Sequence, residues 1–295
     1  MNGAEAVVTH KVHVAHENGE HWIAYDIKGA PHGYPIFLLH GTPGSRSGPA
    51  PRSSVLYRLG VRLICYDRPG YGKSTRHPKR RVLDAARDVA AIADELRLDE
   101  FSVVGRSGGG PHALACAAML PDRVRKAAVL VSVAPADAHG LDWYDGMAGS
   151  NVEEYTRARQ GADVLAAELS ARSELIREDP ESLLQFLEPE LTAPDRRILR
   201  DPGIRRLLTG TYAEALRQGP EGWIDDVLAL RESWGFALTK ISVPVLLWHG
   251  ADDVFSPVAH TLWLASQIPS AQIEVEHGAA HFDAVKVLPR ILAQL

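Results

Sequence analysis

The chain has 295 residues, 45% hydrophobic and 23% charged, which suits a soluble globular protein with room for a large core and a second substructure. A formal net charge of −5 without a long basic block argues against a nucleic-acid partner. No signal-like apolar segment opens the chain, and the apolar runs at 113–120 and 127–134 are too short to span a bilayer, so a cytoplasmic protein with no membrane role is expected.

In chain order, two antiparallel strands are expected first, Val12 to His16 and Trp22 to Lys28, joined by a turn at Asn18-Gly19. Short apolar runs then alternate with helical patterns. The runs are Ile36 to Leu39, Leu63 to Tyr66, Ser102 to Val104 and Ala127 to Val133, and later Val245 to Trp248 and Ile273 to Val275. Helices are expected at Val82 to Leu96, Pro111 to Met119, Ala259 to Ser266 and Val285 to Leu295. Continuous apolar strands between amphipathic helices predict a mostly parallel sheet covered on both faces, the α/β class. Cys65 and Cys116 sit in apolar runs and read as buried free thiols of a reducing compartment. The densest basic cluster, Pro78 to Arg81, precedes a helix and reads as a solvated face.

The alternation stops at Ala136 and resumes near Ile241. Between them lie helical patterns broken by Asp179-Pro180, Glu188-Pro189, Ala193-Pro194, Asp201-Pro202 and Gly219-Pro220. Neither flank completes a sheet alone. The reading is therefore one α/β core, 1–135 and 239–295, interrupted by an all-helical insertion, 136–238.

Chemistry concentrates at strand ends. Gly105-Arg106-Ser107-Gly108-Gly109 follows the strand that ends at Val104 and precedes the helix at Pro111. A sharp strand-to-helix turn exposes a serine oxygen there, and glycines on either side avoid clashes, so Ser107 is the candidate nucleophile. A serine needs a base, and the base an orienting acid; on such a sheet they follow the serine in the order acid, then His. Of 13 histidines, His281 stands just after the last strand and before the C-terminal helix, with His277 the weaker candidate. Asp252 and Asp253 follow the strand ending at Trp248, and Asp137 is a lesser alternative. The loop His40-Gly41-Thr42-Pro43-Gly44-Ser45 follows Leu39, and the backbone N–H groups of Thr42 and Gly108 are the candidate oxyanion donors. His40 reads as a structural hydrogen-bonding residue.

Rival readings fail on position. Gly72-Lys73-Ser74 lacks the earlier glycine of a phosphate loop, since that place is Asp67. Gly108 to Ala113 fits a dinucleotide fingerprint but follows the wrong strand. The histidines lack HExxH spacing and no cysteine pairs stand ready for zinc. No metal and no organic cofactor is expected.

Together, His40-Gly41-Thr42-Pro43-Gly44, Asp67 to Ser74, Gly105 to Gly109, Gly250-Ala251-Asp252-Asp253 and Ala280-His281-Phe282 resemble the ordered signature of the α/β-hydrolase superfamily. The resemblance covers the chain except the insertion, which matches the family's cap in placement alone. It implies an eight-stranded sheet, a helical cap and a Ser-Asp-His triad, and it selects Asp253 over Asp252. The residue before the nucleophile, often His in that family, is Arg106 here.

A serine nucleophile points to acyl chemistry, so the expected function is hydrolysis of a small-molecule carboxylic ester or related acyl compound through an acyl-enzyme. The alternatives are an amide or peptide hydrolase of proline-iminopeptidase type, a C–C bond hydrolase, and a catalytically silent small-molecule binding protein of the same fold. Within the insertion, Trp143 and Trp223 are expected to line an apolar pocket over Ser107.

Overall fold

The computed structural model describes residues 8–16 and 19–295; Asn18 of the expected first turn lies outside them. Eight strands form one sheet: β1 (Thr9–His16), β2 (Gly19–Gly29), β3 (Tyr34–Leu39), β4 (Val61–Tyr66), β5 (Phe101–Arg106), β6 (Val124–Leu130), β7 (Val245–Gly250) and β8 (Ala271–Glu276). Their order across the sheet is β1-β2-β4-β3-β5-β6-β7-β8. Strand β2 runs antiparallel to β1 and β4, and every other pairing is parallel.

The central strands are apolar on both faces because helices cover both. Along β3, Phe37 and Leu39 point to one core, and Ile36 and Leu38 to the other. The same alternation puts Ile64 and Tyr66 on one side of β4, and Leu63 and Cys65 on the other. Helices α1 (Ser53–Leu59) and α11 (Asp283–Leu292) cover the second core with Leu56, Val287, Leu288 and Ile291. Helices α2 (Ala85–Glu95), α3 (Gly109–Met119) and α10 (Val258–Gln267) cover the first with Val89, Ile92, Leu114 and Leu264.

Between β6 and β7 the chain forms six helices: α4 (Gly149–Gln160), α5 (Ala162–Glu178), α6 (Ser182–Leu187), α7 (Ala193–Leu199), α8 (Pro202–Ala215) and α9 (Glu221–Arg231). It leaves from one strand and returns to its immediate neighbour, since β6 and β7 pair directly. The apolar run after β6 reads longer from sequence than the strand is. Val131, fully buried, turns to a φ of 47° and ends the pleat, so Val131 and Val133 belong to the loop.

The strand order reverses around β3. The chain crosses from β3 to β4 on one side, then back to β5 on the other. The carboxyl ends of β3 and β5 therefore diverge into a crevice, where open α/β sheets bind ligands. The loop at His40 and the turn at Ser107 both emerge there.

Candidate active site

Ser107 lies between the end of β5 and the start of α3, with a φ of 54°. A serine pays for that left-handed conformation in strain, and it persists only where neighbours hold it. Two bonds do so: Ser107 N–H donates to Leu130 O at 2.9 Å, and Gly110 N–H donates to Ser107 O at 2.8 Å. The turn also demands space. A Cβ on Gly105 would lie 2.2 Å from Gly109 O, so strand and helix can cross this closely only with glycine there.

His281 stands in the loop between β8 and α11, nearly buried. Its Nδ1 lies 2.8 Å from Oδ2 of Asp253. The other carboxylate oxygen of Asp253 accepts the Phe255 and Ser256 N–H groups at 2.8 and 3.0 Å. His249 Nε2 stands 3.3 Å from Oδ2. Burial alone would raise the Asp253 pKa; His281, His249 and the hydrogen bonds outweigh it and hold the carboxyl well below its ordinary range. An ionised carboxylate thus faces the Nδ1 side of His281. The loops are tied by Asp252 N–H, which donates to Ala279 O at 2.9 Å. The alternatives read from sequence, Asp252, Asp137 and His277, are all exposed.

Thr42 and Gly108 are in contact: a Cβ on Gly108 would lie 2.2 Å from Thr42 Oγ1. Neither backbone N–H has a hydrogen-bond acceptor among the described residues. Each is aimed by the carbonyl on the other side of its own peptide plane. For Gly108 that carbonyl is Ser107 O, already bonded to Gly110. For Thr42 it is Gly41 O, which accepts Arg68 Nη2 at 2.9 Å and His40 Nδ1 at 2.8 Å. His40 Nε2 accepts Arg68 N–H at 3.1 Å, so its proton sits on Nδ1. Burial, reinforced by Arg68, pushes the His40 pKa well below its ordinary value and keeps the ring neutral. His40 is the hydrogen-bonding residue expected from sequence.

One cavity collects these groups. Thr42, Ser107 and His281 line it from the sheet side, and Glu154, Tyr212 and Trp223 line it from the helices. Trp143 does not reach it. Its ring packs edge-on against Tyr155 and His260, and its indole N–H donates to Ala134 O at 2.9 Å. Of the two tryptophans expected over Ser107, only Trp223 is there. Among the described residues no group of three His, Cys, Asp or Glu side chains could hold a metal ion, and no helix is long and apolar enough to cross a membrane.

A family model described as alpha/beta hydrolase fold matches residues 34–286, which hold every strand from β3 to β8. The chain belongs to the alpha/beta hydrolase fold family. This hydrolase is 28% identical to pimeloyl-[acyl-carrier protein] methyl ester esterase of Chromobacterium violaceum over 83% of this chain and 86% of that protein. It is 27% identical to 2-hydroxymuconate semialdehyde hydrolase of Pseudomonas putida over 86% of this chain and 83% of that protein. The likeness to proline iminopeptidase of Arabidopsis thaliana is 31%, over 44% of this chain and 35% of that protein. Names that differ this much leave the choice of substrate to the cavity.

The hydrolase also uses residues that sequence reading left without a role. Asp226 of α9, fully buried, accepts Thr42 Oγ1 (2.6 Å), Tyr71 OH (2.9 Å), Arg80 Nη2 (2.6 Å) and both Arg68 Nε (3.1 Å) and Nη2 (2.5 Å). Arg80 corrects the reading of Pro78 to Arg81 as a solvated face, because its guanidinium is buried in this ion pair. Asp195 of α7 accepts the backbone N–H of Phe282, beside His281, at 2.8 Å. Arg68 sits inside a recognised motif, yet nothing local shows that it braces Gly41.

Glu154 of α4 is buried on the cavity wall and accepts the Trp223 indole N–H at 3.1 Å. Arg172 stands 3.7 Å away. Burial pushes the Glu154 pKa up to about 7, against the opposing pull of Trp223 and Arg172. The folded state therefore holds a proton there that the unfolded state has released, and stability falls as pH rises from the ordinary 4.5 to about 7. Glu154→Gln is expected to lose that slope, so it gains stability over wild type at pH 8 but not at pH 4. Urea midpoints at the two pH values check this.

Proposed function

We propose that the protein is a serine hydrolase cleaving a small-molecule carboxylic ester, or a related acyl compound, through Ser107, His281 and Asp253. The observation that carries this reading is the 2.8 Å contact between His281 and an ionised Asp253, at a cavity that Ser107 also lines. Ser107 Oγ attacks the carbonyl carbon and His281 Nε2 accepts its proton. Asp253 orients the ring and stabilises the imidazolium. The N–H groups of Thr42 and Gly108 bind the oxyanion. His281 then protonates the leaving group, and water, activated by the same ring, hydrolyses the acyl-enzyme. No metal or organic cofactor enters this scheme. Residues 136–238 act as a cap closing the cavity over a core of 1–135 and 239–295. The two buried free thiols, Cys65 and Cys116, favour the cytoplasm.

A fluorophosphonate probe is expected to label Ser107, and a short-chain p-nitrophenyl ester to be turned over. Absence of both would favour the silent binding protein. Asp253→Asn is expected to lower kcat about 10,000-fold, as loss of the orienting acid does in a complete triad. Asp252→Asn, at an exposed position, should change it little. Steady-state kinetics compare the two, and the opposite order would move the acid by one residue.

A second reading, release of an N-terminal residue from a peptide, has Glu154 in its favour as a carboxylate facing the cavity. Trp223 and Arg172 already occupy that carboxylate, which leaves it poorly placed to bind an ammonium group. Proline p-nitroanilide measured beside the ester separates the two.

A further inference from the structure

Arg106 precedes the nucleophile, and its side chain lines the same cavity. It is only 8% exposed. Its Nη1 is fully buried without a hydrogen-bond partner, and no described residue forms a hydrogen bond or ion pair with its guanidinium. The other arginines near the site are neutralised: Arg68 and Arg80 by Asp226, and Arg172 by Glu168 at 2.6 Å. A buried guanidinium without a counter-charge is costly and persists where something else supplies the charge.

Its position indicates what that is. Arg106 Nη2 and Ser107 Cβ each lie 3.5 Å from the point where a Cβ on Gly41 would sit, so guanidinium and nucleophile flank the same glycine. Tyr212 of α8 lines the same cavity, close enough to act on the charge of Arg106, and its hydroxyl has no hydrogen-bond partner among the described residues. A planar fork and a free phenol, both largely buried and lining one cavity, match a carboxylate.

We propose that Arg106, with Tyr212, binds a carboxylate on the substrate, so that the hydrolase acts on acyl compounds carrying a free anionic group near the scissile carbonyl. This rests on the acyl-hydrolase reading above. The half-satisfied pocket is completed by the substrate itself. A neutral ester of the same shape leaves the guanidinium unpaired and binds more weakly. Burial pushes the Arg106 pKa down, the direction expected of a cation without an anion beside it.

The test compares wild type, Arg106→Met and Arg106→Lys on three esters. Mono-p-nitrophenyl glutarate carries the carboxylate on the acyl side, 4-carboxyphenyl butyrate carries it on the leaving group, and p-nitrophenyl pentanoate is neutral. Comparing each variant with wild type cancels the intrinsic reactivity of each ester. Arg106→Met is expected to lower kcat/KM for one of the anionic esters roughly 10- to 100-fold more than for the neutral one, mainly through KM. Arg106→Lys should recover part of that loss. Whichever anionic ester responds identifies the side of the bond that bears the charge. Equal losses on all three would overturn the proposal and leave the hydrolase reading standing.

A binding measurement keeps the two readings apart. Glutarate is expected to raise the melting temperature of wild type and not that of Arg106→Met, whether or not any ester is turned over. If no ester is cleaved and this shift is seen, the hydrolase reading falls and the anion site stands. Without ligand, Arg106→Met should melt at or above wild type, because it removes an uncompensated buried charge. A marked drop would mean that the guanidinium has a structural partner, and would overturn the proposal.

Discussion

Ser107→Ala is expected to lower kcat on an activated ester by about a million-fold, the loss found when the nucleophile of a complete triad is removed. His281→Ala should cost a similar factor. The double variant should be little worse than either, because base and nucleophile act as one unit. Some rate above that in water, about 1,000- to 10,000-fold, should survive, since the proposed Thr42 and Gly108 donors remain in place. Stopped assays at high enzyme concentration measure it, with the released ester chromophore as the direct readout. The backbone supplies a second readout. With φ at 54°, any side chain at 107 is strained, and glycine is not. Ser107→Gly is therefore expected to be about 1 kcal/mol more stable than Ser107→Ala by urea unfolding, while both lack activity. If Ser107→Ala kept a tenth of wild-type turnover, the nucleophile would lie elsewhere.

The parts of this site that sequence reveals are those whose chemistry is local. Ser107 is legible because an apolar strand, a glycine-rich turn and a helix start stand in one short stretch, and because only such a turn needs glycine at 105 and 108. His281 and Asp253 are legible as positions after strands. Choosing Asp253 over Asp252 needed the family pattern, since adjacent residues differ only in which way each side chain points: here one is buried against His281 and the other faces solvent. Most core elements were readable from apolar runs, but α1, a helix of seven residues, carries too short a period to register. The helical segment is where local signals stop. Its apolar faces pack against one another and join the larger core, so Trp143 and Trp223 look alike in sequence, and only the tertiary packing sends one to the cavity. Arg80 misleads for the same reason: its charge suggests solvent, and its partner Asp226 lies far along the chain.

That partner carries the largest expected effect on stability. Asp226→Asn keeps the size of the side chain but leaves Arg68 and Arg80 buried without a counter-charge, and it is expected to destabilise the fold by about 3–5 kcal/mol. Activity should fall as well. Arg68 holds Gly41 O and so aims Thr42 N–H, while Asp226 holds Arg68 and the Thr42 hydroxyl. Loss of one oxyanion donor costs about 100- to 1,000-fold in turnover, which sets the upper bound at temperatures where the variant is folded. The neighbouring Asp225 provides the control. Its own carboxylate is buried too, but it pairs with Arg76, whose side chain is 44% exposed and can turn to water once that charge is removed, so Asp225→Asn should cost clearly less than Asp226→Asn and leave Thr42 undisturbed. The pH dependence follows from the sign of the shift. Burial would raise the Asp226 pKa, but Arg68, Arg80 and His112 hold it well below its ordinary value. Its contribution is then complete above about pH 4 and is lost only as pH falls further. Wild type should lose stability on that acid limb, and Asp226→Asn should show a flatter one. Urea unfolding from pH 3 to pH 7 measures both. Equal effects of Asp225→Asn and Asp226→Asn on turnover would show that α9 does not act on the Thr42 loop through this carboxylate.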